Sequence, residues 1–261
     1  MKIKVKVIAS GSRGNSTLLW DDSTALLVDC GVPVGYAVET IEEEGFAPCD
    51  ISGVLMTHSH GDHIKAAFLR RMINNNVPLY CHYETTNDYL ADFEFLNKKN
   101  IVPFDDCRFS VGDFVVEAFE VDHDSEACFG FSIYSSNSKV TLATDLAYPD
   151  DSLIEKFVNS DIILIESNHD PGLLMESQRP SWLKRRIRDS HLSNPAAAKF
   201  IRKVLEQSEL MPSAIILTHL SSECNMPILA EECMKDMLKS CGISIPVISA
   251  PERRALSIIG M

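Results

Sequence analysis

The sequence has no uninterrupted apolar run that approaches the length of a membrane-spanning helix. Such a helix needs about 20 predominantly apolar residues, and the apolar runs in this 261-residue chain are much shorter. The first ten residues, MKIKVKVIAS, alternate charged and apolar side chains as a strand does, and they lack the apolar centre of a signal peptide. These absences exclude an integral membrane protein and predict a cytoplasmic protein without a membrane partner.

The sequence also lacks internal repeats and any linker rich in proline, glycine and serine. Apolar residues make up 45% of the chain and charged residues 23%, which is typical of a globular protein and excludes a disordered or collagen-like chain. We therefore expect one domain that extends over residues 1–261.

No two cysteines show the C-x-x-C spacing of redox motifs and zinc sites. Most of the eight cysteines lie inside apolar stretches, which is typical of small core residues in a reducing compartment. We therefore expect no disulfide. The positions are Cys30, Cys49, Cys81, Cys107, Cys128, Cys224, Cys233 and Cys241.

Positive charge is scarce, since the formal net charge is −13, and this argues against a nucleic-acid partner. One segment reverses the balance. Residues 179–203 contain eight basic residues and one acidic residue, Asp189, so the segment carries a local charge of +7. Arg185 and Arg186 in this segment are candidate contacts to an anionic substrate. The alternative is a solvated helix face that balances acidic neighbours.

Short runs rich in valine, isoleucine, leucine or phenylalanine predict strands in both halves of the chain, with helical patterns between them. This order predicts an α/β fold of two packed sheets with helices outside. The predicted strands are 3–9, 16–20, 25–28, 52–56, 113–121, 128–135, 138–143, 161–165, 214–217 and 246–248. The predicted helices are 36–44, 63–74, 84–91, 150–158, 195–207 and 227–240.

The strongest chemical signal is the segment THSHGDH at 57–63, directly after a strand-like run. His58 and His60 are two residues apart, so in an extended segment their imidazoles leave on the same side. Asp62 and His63 follow where we expect a helix to begin. Imidazole nitrogen and carboxylate oxygen suit zinc, and also iron or manganese. A solvated polar turn does not explain so dense a cluster, and we predict a metal site.

The spacing of this cluster resembles the metallo-β-lactamase superfamily, and the resemblance extends along the whole chain. It implies a four-layer αββα sandwich with two divalent metal ions (zinc, manganese or iron) at one edge. Taken alone, His123 or His219 could equally be a core histidine. In the superfamily's order, the ligands of one metal are His58, His60 and His123; those of the second are Asp62, His63 and His219; and Asp145 bridges both.

The same resemblance implies a hydrolase. A water between two such cations loses its proton near neutral pH and becomes the nucleophile, and the metals also polarise the substrate. Asp62 would additionally orient that nucleophile, and Asp29 would support the histidine loop from behind.

The segment 160–194 resembles the phosphodiesterase branch of the superfamily, which uses a glutamate–histidine couple. His191 lies just before the helix that Pro195 opens, where Ser193 or Asn194 can cap the helix and bind anions. A histidine there can act as general acid for the leaving oxygen. Glu166 and His191 are similar to that couple. His169 is assigned either a supporting role or a substrate contact.

Several motifs together resemble the YycJ/WalJ-type metallohydrolases, a branch associated with DNA exonuclease activity. They are ASGSRGNSTLL, THSHGDH, ATDL, ESNHD, LKRRI, HLSN and THLSSECN, and they span residues 9–225. Two positions depart from the branch: Ser190 replaces a glycine, and Cys224 replaces an asparagine. In the GSRGNS loop, Ser12 and Asn15 are candidate phosphate contacts, with a plain turn as the alternative.

The expected function is a dinuclear metal phosphodiesterase that degrades DNA as a nuclease. The alternatives are a small-molecule phosphodiesterase or thioesterase on the same fold, and a metal-binding regulatory module without chemistry. The complete ligand set together with Glu166 and His191 argues against the regulatory module, because a scaffold needs no open metal position.

Overall fold

Two β-sheets lie face to face, and helices cover their outer sides. The computed structural model describes residues 2–88, 93, 95–96, 99–105, 108–125, 127–253 and 255–256. The first sheet contains, side by side, β1 (Lys4–Ala9), β2 (Ser16–Trp20), β3 (Ala25–Val28), β4 (Gly53–Leu55), β5 (Leu79–His82) and β6 (Ile101–Phe104). The second contains β7 (Arg108–Val111), β8 (Phe114–Glu120), β9 (Phe129–Tyr134), β10 (Lys139–Ala143), β11 (Ile162–Glu166), β12 (Ala214–Thr218) and β13 (Val247–Ser249).

Eight α-helices connect these strands in the described part of the chain. They are α1 (Val34–Glu43), α2 (Ala66–Asn74), α3 (Tyr83–Asp88), α4 (Asp151–Phe157), α5 (Pro171–Glu176), α6 (Ser181–Ser190), α7 (Asn194–Gln207) and α8 (Pro227–Ser240). A short 3₁₀ turn covers Pro48–Asp50. None of the described helices is long and apolar enough to cross a membrane.

The apolar side chains sort into an inner core and two outer cores, because successive strand residues point to opposite faces. On β3, Leu26 lies in the core between the sheets, while Leu27 lies in the outer core under α1 and α2. On β11, Leu164 lies between the sheets, while Ile165 lies in the outer core under α4, α7 and α8. Full burial of each such side chain contributes about 1.5–3 kcal/mol. The result is the predicted four-layer αββα sandwich in a single domain.

The strand directions bring the functional segments to one edge of the sandwich. Strands β10 to β13 are parallel, and β9 is antiparallel to both β8 and β10, so β8 runs in the same direction as β10. In the first sheet, β3 and β4 are parallel. Since parallel strands end at the same edge, the residues that follow them can meet there.

Most predicted elements agree with the structure to within one or two residues, but several were missed. The helix predicted from residue 63 begins only at Ala66, because 61–63 form a turn. The helix predicted at 84–91 begins at Tyr83, and positions 89–91 lie outside the described residues. The missed elements are β5, β6, β7, α5 and α6.

The missed elements have weak sequence patterns for physical reasons. Strand β6 contains Pro103, which a sheet tolerates mainly at an edge, and β6 is one of the two edge strands of the first sheet. Helix α6 buries only Ile187 and Ser190, so it has almost no apolar stripe to detect. The seven described cysteines are free, as expected, and Cys107 lies outside the described residues.

Candidate metal centre

Three histidines from two strand ends form the first cluster of the site. His58 and His60 follow β4, His123 follows β8, and one ligand atom of each lies within 4.8 Å of the others. Burial lowers the pKa of His58 well below its usual value and also lowers the pKa of His60, so both imidazoles are neutral, as metal ligands must be.

His123 is held in the orientation that a metal ligand needs. Its Nδ1 lies 2.9 Å from the carbonyl oxygen of Ser190 and donates to it. Its Nε2 is therefore unprotonated in the neutral ring, and it is buried without a hydrogen-bond partner, although Asp124 Oδ1 lies 3.1 Å away. A buried acceptor without a donor is costly, and a divalent cation would satisfy it.

The second cluster contains Asp62, His63 and His219, whose ligand atoms also lie within 4.8 Å of one another. His63 Nδ1 lies 2.7 Å from Asp29 Oδ2, so its Nε2 faces Asp145 Oδ2 at 2.9 Å. Burial lowers the pKa of His63, but Asp145 and Asp29 outweigh it and raise the pKa to about 10. A metal at His63 Nε2 would therefore have to displace a proton.

Asp145 contacts residues of both clusters. Its Oδ1 lies 3.6 Å from His123 Nε2 and 3.5 Å from His219 Nδ1, and its Oδ2 lies 2.9 Å from His63 Nε2. Burial raises the pKa of Asp145, but His219 and His63 outweigh it and lower the pKa well below its usual value. The donor set around Asp145, together with the unpartnered Nε2 of His123, fits two divalent cations.

The backbone at the site is strained. Five described non-glycine residues have a positive φ, and three of them are site residues: Asp29 (64°), Asp145 (55°) and His219 (54°). Such conformations cost about 1–3 kcal/mol each and persist where the surroundings over-determine them. Asp29 is held in this way, since its Oδ1 accepts from the Thr57 amide at 2.9 Å and thereby fixes the start of the histidine loop.

The GSRGNS loop supports the histidine loop from below. The Asn15 amide N–H donates to the Asp62 carbonyl at 2.7 Å, and Asn15 Nδ2 lies 2.9 Å from His63 Nε2. A Cβ at Gly31 would lie 1.7 Å from the Asp62 carbonyl oxygen, so only glycine allows this approach. Asn15 is buried, whereas Ser12 is exposed. Sequence reasoning missed Gly31, because the residues around it do not show that the Asp62 carbonyl packs against this position.

Glu166 connects the second cluster of candidate metal ligands, through His219, to His191. The carboxylate is completely buried at the end of β11. Its Oε1 accepts from His191 Nδ1 and from His219 Nδ1, both at 2.8 Å, and its Oε2 accepts from the amides of Leu146 and Leu192, both at 2.9 Å. Burial raises the pKa of Glu166, but His191 and His219 outweigh it and lower the pKa to about 2. Glu166 and His191 therefore form a contact pair beside the cluster.

The remaining candidate residues lie around His191. Ser193 caps α7 by accepting from the Ala196 amide. Asn194 is buried, and its Oδ1 accepts from Ser167 Oγ at 2.7 Å. Arg185 is exposed on α6, while Arg186 Nε donates to Asp124 Oδ2 at 2.5 Å.

The two departures from the branch pattern have structural roles. Ser190 ends α6 with its carbonyl on His123, and its hydroxyl donates to the Arg186 carbonyl at 2.8 Å. Cys224 is fully buried in a small apolar cluster with Leu174 and Ile187.

Comparisons with known proteins agree with this geometry. Residues 24–220 match the family described as "Beta-lactamase superfamily domain". The chain is 32% identical over 251 residues to the exodeoxyribonuclease YycJ of Bacillus anthracis, covering 94% of this chain and 92% of the relative. It is 31% identical over 252 residues to the exodeoxyribonuclease WalJ of Streptococcus pneumoniae, covering 94% and 91%.

Solved structures share the fold at low sequence identity. The metallo-β-lactamase fold protein YhfI of Bacillus subtilis superposes with a TM-score of 0.70 at 20% identity, covering 97% of this chain and 98% of that one. Zn²⁺-bound PqqB of Methylobacterium extorquens gives 0.69 at 14% identity, covering 97% and 99%. The fold, the histidine and aspartate cluster and these matches together show that the chain is a hydrolase of the metallo-β-lactamase superfamily and belongs to its YycJ/WalJ-type branch.

Proposed function

We propose that this protein is a dinuclear metal-dependent phosphodiesterase that degrades DNA as an exonuclease. The observation that carries the proposal is the contact of His191 with Glu166 beside the histidine and aspartate cluster. The two relatives that match 94% of the chain are named exodeoxyribonucleases, which supports DNA as the substrate.

The first cluster and the second would each hold one divalent cation, with Asp145 between them. When bound, such cations lower the pKa of water and polarise a phosphoryl oxygen. Asp62 is half-buried at the open side of the second cluster, with Oδ2 3.4 Å from His219 Nε2, and in our proposal it orients the attacking water. Asp29 holds His63 in the required tautomer.

His191 has the geometry of a general acid for the leaving oxygen. Because the Glu166 carboxylate only accepts, the His191 Nδ1 proton points at it, and Nε2 is left for the substrate side. The side chain is 18% exposed, so it reaches solvent while Glu166 is fully buried. Its ring stacks on His219 with 5.3 Å between centroids, which places it next to the second cluster.

The leaving group tests this role. A general acid contributes about 10²–10⁴-fold, so we expect His191→Ala to slow cleavage of duplex DNA by about that factor. A bis(nitrophenyl) phosphodiester needs no proton on its leaving group, and its hydrolysis should fall far less. Equal losses on both substrates would assign His191 to binding or structure instead.

The alternative is a small-molecule phosphodiesterase or thioesterase on the same fold, which the net charge of −13 favours. A comparison of rates for wild-type protein on linear duplex DNA, the aryl phosphodiester and an acyl-glutathione separates these functions. We expect the highest kcat/KM on DNA. A higher value on the thioester would overturn the proposed phosphodiesterase.

A further inference from the structure

A cavity of about 290 Å³ opens beside His191, outside the metal cluster. Three cationic side chains line it: Arg188, Lys199 and Lys203. None of its described lining residues is acidic, although the whole chain carries −13. Its volume is at the lower end of the range for small-molecule pockets. The cavity therefore suits a small anion-bearing group.

One face of α7 builds much of this cavity. Ala196, Lys199, Phe200 and Lys203 are spaced as i, i+3, i+4 and i+7, so they share one side of the helix. Lys203 Nζ lies 2.7 Å from Asp151 Oδ1, but Asp151 is 82% exposed, and such surface pairs contribute little. Lys199 is exposed, so both lysines can turn to an anion in the cavity.

The remaining lining includes aromatic and apolar side chains. Tyr148 lines the cavity and is 62% exposed, an unusual position for so large a ring. Next to it lie Ala147, Pro149 and Leu192. An exposed aromatic ring offers a stacking surface for a nucleobase, worth about 1–3 kcal/mol per base.

A buried polar atom without a partner also belongs to this cavity. His169 lines it and is only 2% exposed, and its Nδ1 has no hydrogen-bond partner. Buried polar groups are normally satisfied, so an unsatisfied ring nitrogen at a cavity wall indicates that a ligand completes it. Ser193, which caps the 14-residue helix α7, lines the same wall.

We propose that this cavity binds the terminal nucleotide of the DNA strand, its base against Tyr148 and its phosphate at Lys199 and Lys203. The inference rests on the proposed nuclease function and deepens it. The cavity holds about one nucleotide and adjoins His191. The phosphodiester bond that joins the terminal nucleotide to the strand then lies at the candidate metal ligands. The cavity thus positions the strand so that each cleavage removes one nucleotide.

Titration calorimetry with the metal-loaded protein tests the cavity directly, using dAMP, deoxyadenosine and inorganic phosphate as probes. We expect dAMP to bind more tightly than either fragment. A Lys199→Ala/Lys203→Ala double variant should bind dAMP at least about tenfold more weakly, since it loses charge-assisted hydrogen bonds. The matched control is Arg202→Ala, which removes a cation from the same helix outside the cavity, and it should bind dAMP within about twofold of wild type.

Two results would overturn the proposal. Unchanged dAMP affinity in the double variant would place the nucleotide at the metals alone. If inorganic phosphate binds the wild-type protein as tightly as dAMP does, the base makes no contribution to binding and the proposed stacking on Tyr148 is wrong. Because binding is measured without hydrolysis, a protein that binds dAMP as expected but does not degrade DNA would refute the nuclease proposal and leave the cavity assignment standing.

Discussion

Replacement of Glu166 by glutamine should weaken both the fold and the metal centre. The carboxylate is completely buried and accepts four N–H groups, two from histidines and two from backbone amides. Glutamine has nearly the same shape but presents one oxygen and one NH₂ group. At least two of the four donors would then face a donor instead of an acceptor.

The magnitude follows from those contacts. A buried group left unsatisfied costs about 1–3 kcal/mol, so two of them predict a loss of about 2–6 kcal/mol from the free energy of unfolding. The histidines can relieve the conflict only by moving their protons from Nδ1 to Nε2. His219 Nε2 would then no longer be free for a metal, and such supporting contacts are worth about 10–100-fold in metal affinity.

The assay combines denaturant unfolding with metal retention against a graded chelator. The matched control is Glu117→Gln. Glu117 lies on β8 and has three polar partners, of which the basic ones are at the surface. We expect Glu166→Gln to lose several kcal/mol and metal, and the control to keep its metal. Wild-type stability and metal retention in Glu166→Gln would refute this reasoning.

Three further predictions follow from the same structure. The variants His58→Ala and Asp145→Ala should each lose bound metal, measured by mass spectrometry, and hydrolytic activity. Their circular dichroism spectra should remain those of the folded protein. Turnover that survives in either variant would contradict the dinuclear site. An Arg185→Ala/Arg186→Ala variant should bind duplex DNA with a salt slope shallower by about 0.9 for each phosphate that it no longer neutralises, and an unchanged slope removes this segment from the DNA interface. Burial raises the pKa of Glu117, but its bonds to lysine, arginine and tyrosine outweigh burial and lower the pKa to about 2. The contribution of these bonds to the free energy of unfolding, about 1 kcal/mol, is therefore present above pH 4.5 and is lost as the pH falls toward 2. The free energies of unfolding of Glu117→Gln and wild type, measured in denaturant, should therefore converge in acid.

The candidate metal ligands could be identified from the sequence because they combine a dense local motif with an order along the chain, and the structure brings them together in two clusters. His58, His60 and His63 stand in one short segment, and their chemistry needs no knowledge of the fold. His123 and His219 could be assigned only through the resemblance to the superfamily, in which ligands follow the histidine motif in this order. The layers were also predictable, since apolar strand runs with helical patterns between them indicate two packed sheets with helices outside.

The contacts that hold the site together could not be predicted from sequence. Four donors reach Glu166 from three separate segments, and no local pattern reports that meeting. The pair between Arg186 and Asp124 depends on where α6 lies, and α6 itself was missed because it is polar almost all round. Glycine is required at position 31 because the Asp62 carbonyl packs against it, and the sequence around Gly31 does not reveal this contact.

The most direct test of the central claim is a metal titration of DNA degradation. The protein is first stripped with a chelator, and release of nucleotides from a linear duplex is then measured as a divalent metal is restored. We predict no release without metal and activity that rises until about two equivalents per chain are bound. Degradation that survives chelation, or a fully metal-loaded protein that leaves the duplex intact, would contradict the account.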